Sequence, residues 1–344
     1  MPTVGRVTMQ EIADRLGLSR FAVSRALSGG EGVGEETRRR VIETATALGY
    51  AIPRQRGRDA FRTRNVLFLV EQDRFHGDFY FWPRVVAGAE EATRRRNLNL
   101  MVGTIAAEQE KDGVLPAAIS ERAVDGALAV GEFSPAFLRA LAGCSLPVVM
   151  VDVDGDAYGL DAVLSADALG AALAARHLAA LGHQRIGFVG DLEHASSFRR
   201  RYQGLNAAKQ ELNLARCDDV AIIDPAARHY WEVPEIKDAL MKEGELPTGF
   251  LCANDYAALM LIGALAEMGY RVPEDISVVG FDNIHLAETN RPPLTTIHVF
   301  KERLGERAVE LLAWRVENPG SPRETVTVET RLIERGTSAA PRRA

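Results

Sequence analysis

Arg20, Phe21, Ser24 and Arg25 lie close together on one face of a short amphipathic segment, and these residue types suit the reading of DNA bases. A guanidinium donates two parallel hydrogen bonds to guanine, a hydroxyl serves as donor or acceptor, and an aromatic ring meets a thymine methyl. To reach a major groove they must project from the N-terminal end of an exposed helix. Residues 8 to 28, TMQEIADRLGLSRFAVSRALS, provide one. Thr8 and Glu11 have the spacing of a capping box ahead of the apolar stripe Ile12, Ala13 and Leu16. Gly17 ends that helix, and Ser19 caps a second in which Ala22, Val23, Ala26 and Leu27 face inward. Thr8 and Ser19 join the candidate DNA-contacting residues. A third helix is predicted from Gly34 to a closing Gly49, with Val41, Ile42, Ala45 and Leu48 on one face. Any helical hairpin shares part of this pattern; the third helix in register makes it a complete headpiece.

The second group with chemical potential lies beyond residue 64. Short apolar runs alternate with helical patterns: VLFLV, LNLMVG, GALAV, PVVMV, IGFVG, VAII, GFLCA and ISVVGF, with helices expected at 84–97, about 107–120, 134–142, 167–181, 199–213, 233–243 and 254–268. That rhythm predicts βαβ units and parallel sheets, an α/β fold. Ligands of such sheets bind beyond the carboxyl ends of the strands. Polar residues follow run after run: Glu71, Gln72 and Asp73, then Asp152, Asp191, Asp224, Asn254 and Asp255, and Asp282 and Asn283. Several, Asn254 and Asp167 among them, also fit as helix N-caps. Carboxylates and amides converging on one rim suit a ligand rich in hydroxyls, such as a sugar or nucleoside. Arg201 supplies a planar fork for two adjacent oxygens or, alternatively, a solvated helix start. The loop 74–82, RFHGDFYFW, is aromatic against a chain average of 7%, which fits either stacking on a sugar ring or core packing. Tyr230 and Trp231 form a second aromatic pair.

Charge is unevenly spread. Residues 1–64 carry 12 Arg and no Lys against 7 acidic residues, a balance of +5, whereas the remainder carries −11. A basic module that faces phosphates is joined to an acidic body. Cys144, Cys217 and Cys252 lie in or beside apolar runs and are expected to be reduced and structural. No apolar run approaches the length of a membrane span and MPTVGRVTMQ lacks a signal peptide's apolar stretch, so a cytoplasmic location without membrane attachment is expected. Gly30, Gly32 and Gly34 do not follow a strand and no Gly-Lys-Ser/Thr succeeds them. His76, His183, His194, His229, His285 and His298 lack metal-ligand spacing, and no Gly-x-Ser-x-Gly elbow occurs. No catalytic residue, metal or cofactor is expected.

VTMQEIADRLGLSRFAVSRALSG, followed by VGEETRRRV and LGY and, near the C-terminus, by VPEDISVVGFD and RPPLTT, resembles the lactose/galactose repressor family (LacI/GalR) over nearly the whole chain. By composition SAAPRRA at 338–344 reads as a disordered tail, while the resemblance implies a helix-turn-helix headpiece (1–50), a hinge (51–64) and a body (65–337) of two periplasmic-binding-protein-like lobes. It places the lobe crossings near 162, 291 and 321, so that lobe 1 spans about 65–162 and 291–320 and lobe 2 about 163–290 and 321–337. It also implies that Asp152, Arg201, Asn254 and Asp282 grip the effector and that Phe79 stacks on it, while Tyr230 or Trp231 could stack on the ligand's opposite side. In the hinge, Arg54 and Arg56 are candidate DNA contacts, and Phe61 or Ala60 stands where the family carries a minor-groove wedge. The Tyr50-Ala-Ile-Pro53 spacing is one residue longer than usual, and the family's Asn and Leu are replaced. A plain solvated tether is the other reading of this segment.

The function expected is a homodimeric repressor of carbohydrate uptake or catabolism genes that binds double-stranded, pseudo-palindromic operator DNA and responds to a small sugar-like effector between its lobes. The alternatives are a solute-binding receptor or a sugar-modifying enzyme carrying a helical N-terminal extension. Turnover on candidate sugars would mark the enzyme.

Overall fold

The computed structural model describes residues 7–28, 32–48, 50, 61–71, 80–192, 195–214, 233–242 and 245–342. These fall into two units, residues 1–62 and 63–344. In the first, α1 (Met9–Leu16), α2 (Arg20–Ser28) and α3 (Glu35–Ala47) surround a core of Ile12, Ala13, Val23, Ala26, Leu27, Val41 and Ala45. The capping box forms: Thr8 Oγ1 accepts from Glu11 N, and Glu11 Oε2 accepts from Thr8 N at 2.8 Å. Gly17 is left-handed at φ 65°, a conformation that costs a residue without a Cβ little. Ser19 Oγ accepts from Ala22 N at 3.1 Å. Ile42 departs from the expected inward stripe and is 41% exposed, whereas Val41 and Ala45 are buried in the core and Leu48 packs against it. Leu48 caps α3, and Gly49 lies outside the described residues.

In the second unit the chain runs β1 (Asn65–Glu71), α4 (Trp82–Arg95), β2 (Asn99–Ile105), α5 (Ala107–Lys111), α6 (Ala117–Ser120), β3 (Gly126–Val130), α7 (Pro135–Gly143), β4 (Val148–Val151) and β5 (Asp161–Ser165). It continues through α8 (Asp167–Leu181), β6 (Ile186–Val189), α9 (Ser196–Glu211), α10 (Val233–Leu240), β7 (Gly249–Cys252), α11 (Asp255–Glu267), β8 (Ser277–Asp282), α12 (His285–Thr289) and β9 (Thr295–Val299). It ends with α13 (Lys301–Glu317), β10 (Thr325–Val328) and β11 (Thr330–Ile333). One sheet has the order β10-β5-β4-β3-β1-β2 and is parallel throughout; the other has the order β11-β9-β8-β7-β6, with only β11 antiparallel. The fold is therefore the expected α/β architecture of a helical headpiece and a two-lobed body.

The crossings between lobes fall later in the chain than expected. β5 still belongs to the first sheet, so the first crossing is at Ala166 rather than 162. β9 pairs with β8, which moves the second from 291 to Phe300, and β10 pairs with β5, which moves the third from 321 to Glu329. The region expected as one helix at 107–120 is two short ones, broken by left-handed Gly113 and by Pro116. The run VAII lies outside the described residues.

The expected disordered tail is a correction. Thr337 Oγ1 bonds the backbone of Val278 and Thr295, Ser338 Oγ meets His177 and Thr295, and Ala339 bonds Ser277 and the buried His183. These bonds fix residues 337–339 along the start of β8 and β9, and Arg342 pairs with Asp275. Cys144 and Cys252 are free thiols. No helix among the described residues is long and apolar enough to cross a membrane.

Candidate functional site

The headpiece presents Arg20, Phe21, Ser24 and Arg25 to solvent from the first turns of α2, and Phe21 is 69% exposed. The Arg25 guanidinium lies 5.1 Å from the Phe21 ring centroid, so the two side chains stack. Thr8 and Ser19 spend their hydroxyls on helix caps. Phe61 is buried, so it would have to leave its present position to act as a wedge. Arg54, Arg56 and Ala60 lie outside the described residues.

In the body, the strands deliver their polar residues to the carboxyl-terminal rims of the two sheets. Asp282 closes β8, Asp152 follows β4, and Asn254 and Asp255 follow β7. Asp152 and Asp282 are both left-handed, at φ 63° and 102°, and Asn283 follows at 55°. Side chains other than Gly adopt these angles at a cost, which the surrounding bonds must over-determine.

Arg201 is the centre of the arrangement and is 2% exposed. Its Nε donates to Asp167 Oδ1 at 2.9 Å and its Nη1 to Ala253 O at 2.5 Å, while Nη2 lies 3.3 Å from Asp282 Oδ1. The guanidinium also covers the Phe281 ring at 3.8 Å. Burial opposes its charge, but Asp282, Asp167 and Asp152 outweigh that and hold its pKa above the ordinary value. Arg200 binds the other oxygen of Asp167 at 2.9 Å and donates through Nη2 to Asp152 O at 3.2 Å. The two arginines reach Asp167 because α9 packs backbone to backbone on the start of α8: a Cβ on Gly204 would lie 2.2 Å from Ala168 O.

Ser165 Oγ lies 2.9 Å from Asp152 Oδ1 and 3.0 Å from Asp167 Oδ1. One hydroxyl proton cannot satisfy both carboxylates. Burial and the neighbouring Asp167 push the Asp152 carboxyl up to about 6, against the pull of Arg201, Arg200 and Ser165. An aspartate pKa raised on folding contributes stability that is whole below the unfolded value and lost as pH rises through the folded one. On that basis Asp152→Asn is expected to remove a loss of about 3 kcal/mol between roughly pH 4 and 7. Thermal melts of both proteins across that window check this, and parallel pH profiles would refute it.

Two residues of the site carry no clear signal in the sequence. Asp167 fits as an N-cap by type, but Ala166 holds that position and Asp167 instead anchors both arginines. Lys301 is buried at the start of α13 and donates to the carbonyls of Asp282, Asn283 and Val299. Burial lowers its pKa, opposed by Asp282 and Asp255. Nothing in its local sequence separates it from a solvated helix start. Asn254 does cap α11, its Oδ1 accepting from Ala257 N at 2.9 Å. Asp255 is wholly buried and accepts from Ile284 N and Thr296 Oγ1; burial pushes its carboxyl up to about 7. Asp224, Phe79 and Trp231 lie outside the described residues.

A helix-turn-helix unit joined to a two-lobed α/β body with polar strand ends at the cleft defines a ligand-responsive DNA-binding regulator. Residues 8–52 match the bacterial regulatory proteins of the lacI family, and residues 175–338 match a periplasmic binding protein-like domain. The HTH-type transcriptional repressor PurR of Vibrio atlanticus is 30% identical over 336 residues, covering 96% of this chain and 98% of that protein. The lac repressor dimer bound to operator and the anti-inducer ONPF shares the fold at TM-score 0.67 and 24% identity, over 98% of this chain and 100% of that one. A LacI family regulator from Enterococcus faecium with bound ribose superposes at TM-score 0.65 with 25% identity, over 80% of this chain and 99% of that one. The chain belongs to the LacI family of transcriptional repressors.

Proposed function

We propose that this repressor binds a neutral, sugar-like effector between its lobes and controls genes of carbohydrate uptake or catabolism. The observation that carries the reading is Arg201, buried at the cleft rim with Asp152, Asp167 and Asp282 around it. Asp167 and Ala253 each accept from one of its five N–H groups, Asp282 Oδ1 pairs with it in charge 3.3 Å from Nη2, and the other donors suit ligand oxygens. Asp152 and Asp282 accept from hydroxyls, Asn254 donates, and Phe79 and Trp231 stack on the ring. The ribose bound by the Enterococcus faecium relative supports this ligand class.

The protein acts in the cytoplasm as a homodimer on a pseudo-palindromic operator, with Arg20, Phe21, Ser24 and Arg25 reading bases and Thr8, Ser19, Arg54, Arg56 and Phe61 contributing contacts. An edge on lobe 1 supports pairing: β2 is the last strand of its sheet and exposes Met101 and Val102. A thermal-shift screen of pentoses, hexoses, disaccharides and nucleosides tests the effector class. A ligand at 100 times its dissociation constant adds about 2.7 kcal/mol of stability. Each positive sugar is then added to an operator titration and a turnover assay. A sugar that stabilises the protein and shifts operator affinity without being consumed supports the reading. Stabilisation by nucleosides alone, or consumption of the sugar, would sink it.

A further inference from the structure

The opposite end of lobe 1 from the effector rim carries a polar collar at the point where the linker enters the body. Asp125, buried just before β3, accepts from the backbone N–H of Thr63 at 3.0 and 3.1 Å, from Thr63 Oγ1 at 3.0 Å and from Arg64 N at 2.6 Å. Arg64 is then held on its remaining sides: its carbonyl accepts from Asn99 N at 2.7 Å, and its Nε donates to Asn97 O at 3.0 Å. Asn65 completes the ring through Thr63 Oγ1, Ala123 O and Asn99 Nδ2. Arg64 adopts a left-handed φ of 62°, a strained angle for a side chain of this size.

We infer that Asp125 is a positioning residue for DNA recognition: with Thr63 and Arg64 it fixes where and in which direction the linker leaves lobe 1. Three considerations lead there. A loop that merely connected two units would not need three donors on one carboxylate, an acceptor-only group that Asn cannot imitate without facing donor to donor. The strain at Arg64 persists because both flanking strands, β2 and β3, hold it, so the departure angle is set by lobe 1 and moves with it. A paired repressor needs a defined exit, because each base pair inserted between half-sites turns one relative to the other by roughly 35°. This inference rests on the dimeric part of the proposed function.

The test uses the full chain and a palindromic duplex selected from random sequence by the wild-type protein, alongside versions with one or two base pairs inserted at the centre. Wild type is expected to lose about tenfold or more in affinity at each insertion, and Asp125→Ala to lose less than about threefold. Thr63→Val, which removes only the hydroxyl, should fall between them, and Thr63→Ser should restore the wild-type pattern. Trypsin gives an arm independent of oligomeric state: cleavage after Arg64 should be slow in wild type and fast in Asp125→Ala at unchanged thermal midpoint of the body. If Asp125→Ala fails to fold, the Thr63 pair carries both arms. Equal spacing penalties in wild type and variants would overturn the inference, as would equal cleavage after Arg64. A wild-type chain indifferent to spacing would instead overturn the paired-headpiece reading, and the collar's role with it.

Discussion

Arg201→Ala is expected to destabilise the body by about 3–5 kcal/mol, the usual cost of removing one partner from a buried ion pair. The side chain is almost fully buried, and its loss leaves Asp282 without its guanidinium and Ala253 O without its donor. At roughly 2–4 °C per kcal/mol for a body of this size, the thermal midpoint should fall by about 10 °C. Arg201→Lys should recover little of this, because a single ammonium cannot reach Asp167, Ala253 and Asp282 in the geometry of a planar fork. Effector affinity, measured by calorimetry below the new midpoint, should fall by about one to two orders of magnitude, at roughly 1.4 kcal/mol per tenfold step. Operator affinity without effector should survive. A midpoint within a degree or two of wild type would show that the cluster is relaxed and solvated in solution.

The double substitution Arg20→Ala, Arg25→Ala should weaken binding to the selected operator by about 2–6 kcal/mol, at roughly 1–3 kcal/mol for each base-reading guanidinium removed. Both residues are exposed on α2 while its core residues Val23, Ala26 and Leu27 are untouched, so helix content should not change. Phe21→Ala should cost less, acting through Arg25, whose guanidinium it supports. Fluorescence anisotropy on the selected duplex and on a scrambled one separates base reading from phosphate attraction. A scrambled-duplex affinity that falls as much as the operator's would mean that these arginines touch phosphates.

What is legible in the sequence is what local pattern controls. Thr8, Glu11, Gly17 and Ser19 announce the headpiece because caps and turns act within four residues. Asp282 and Asp152 are legible because they end apolar runs, and in each parallel sheet such ends lie along the carboxyl-terminal rim. Asp167 lies one position past the cap its type suggests: its partners Arg200 and Arg201 are more than thirty residues away and reach it only through the packing of α9 on α8. β9, β10 and β11 are short and interleave threonine or charge with apolar residues, and β5 holds an apolar run of only three residues, so no long run marks them. β10 and β5 pair across more than 150 residues, a relation without a local trace. Residues 338–342, small and polar in sequence, look like a tail because the histidines that order them, His177 and His183, lie far upstream.

β10 and β11 are separated by Glu329 alone, yet they close the far edges of two different sheets. On the ribosome, neither lobe has its full set of strands until this stretch has emerged, so the two lobes must complete together rather than one after the other. Until then β5 and β9 each offer an open edge to neighbouring chains, which leaves the nascent body exposed to mispairing until this stretch has emerged. The headpiece has no such dependence. It can be folded and basic, and already drawn to DNA, while the part that gives it its orders is still unfinished.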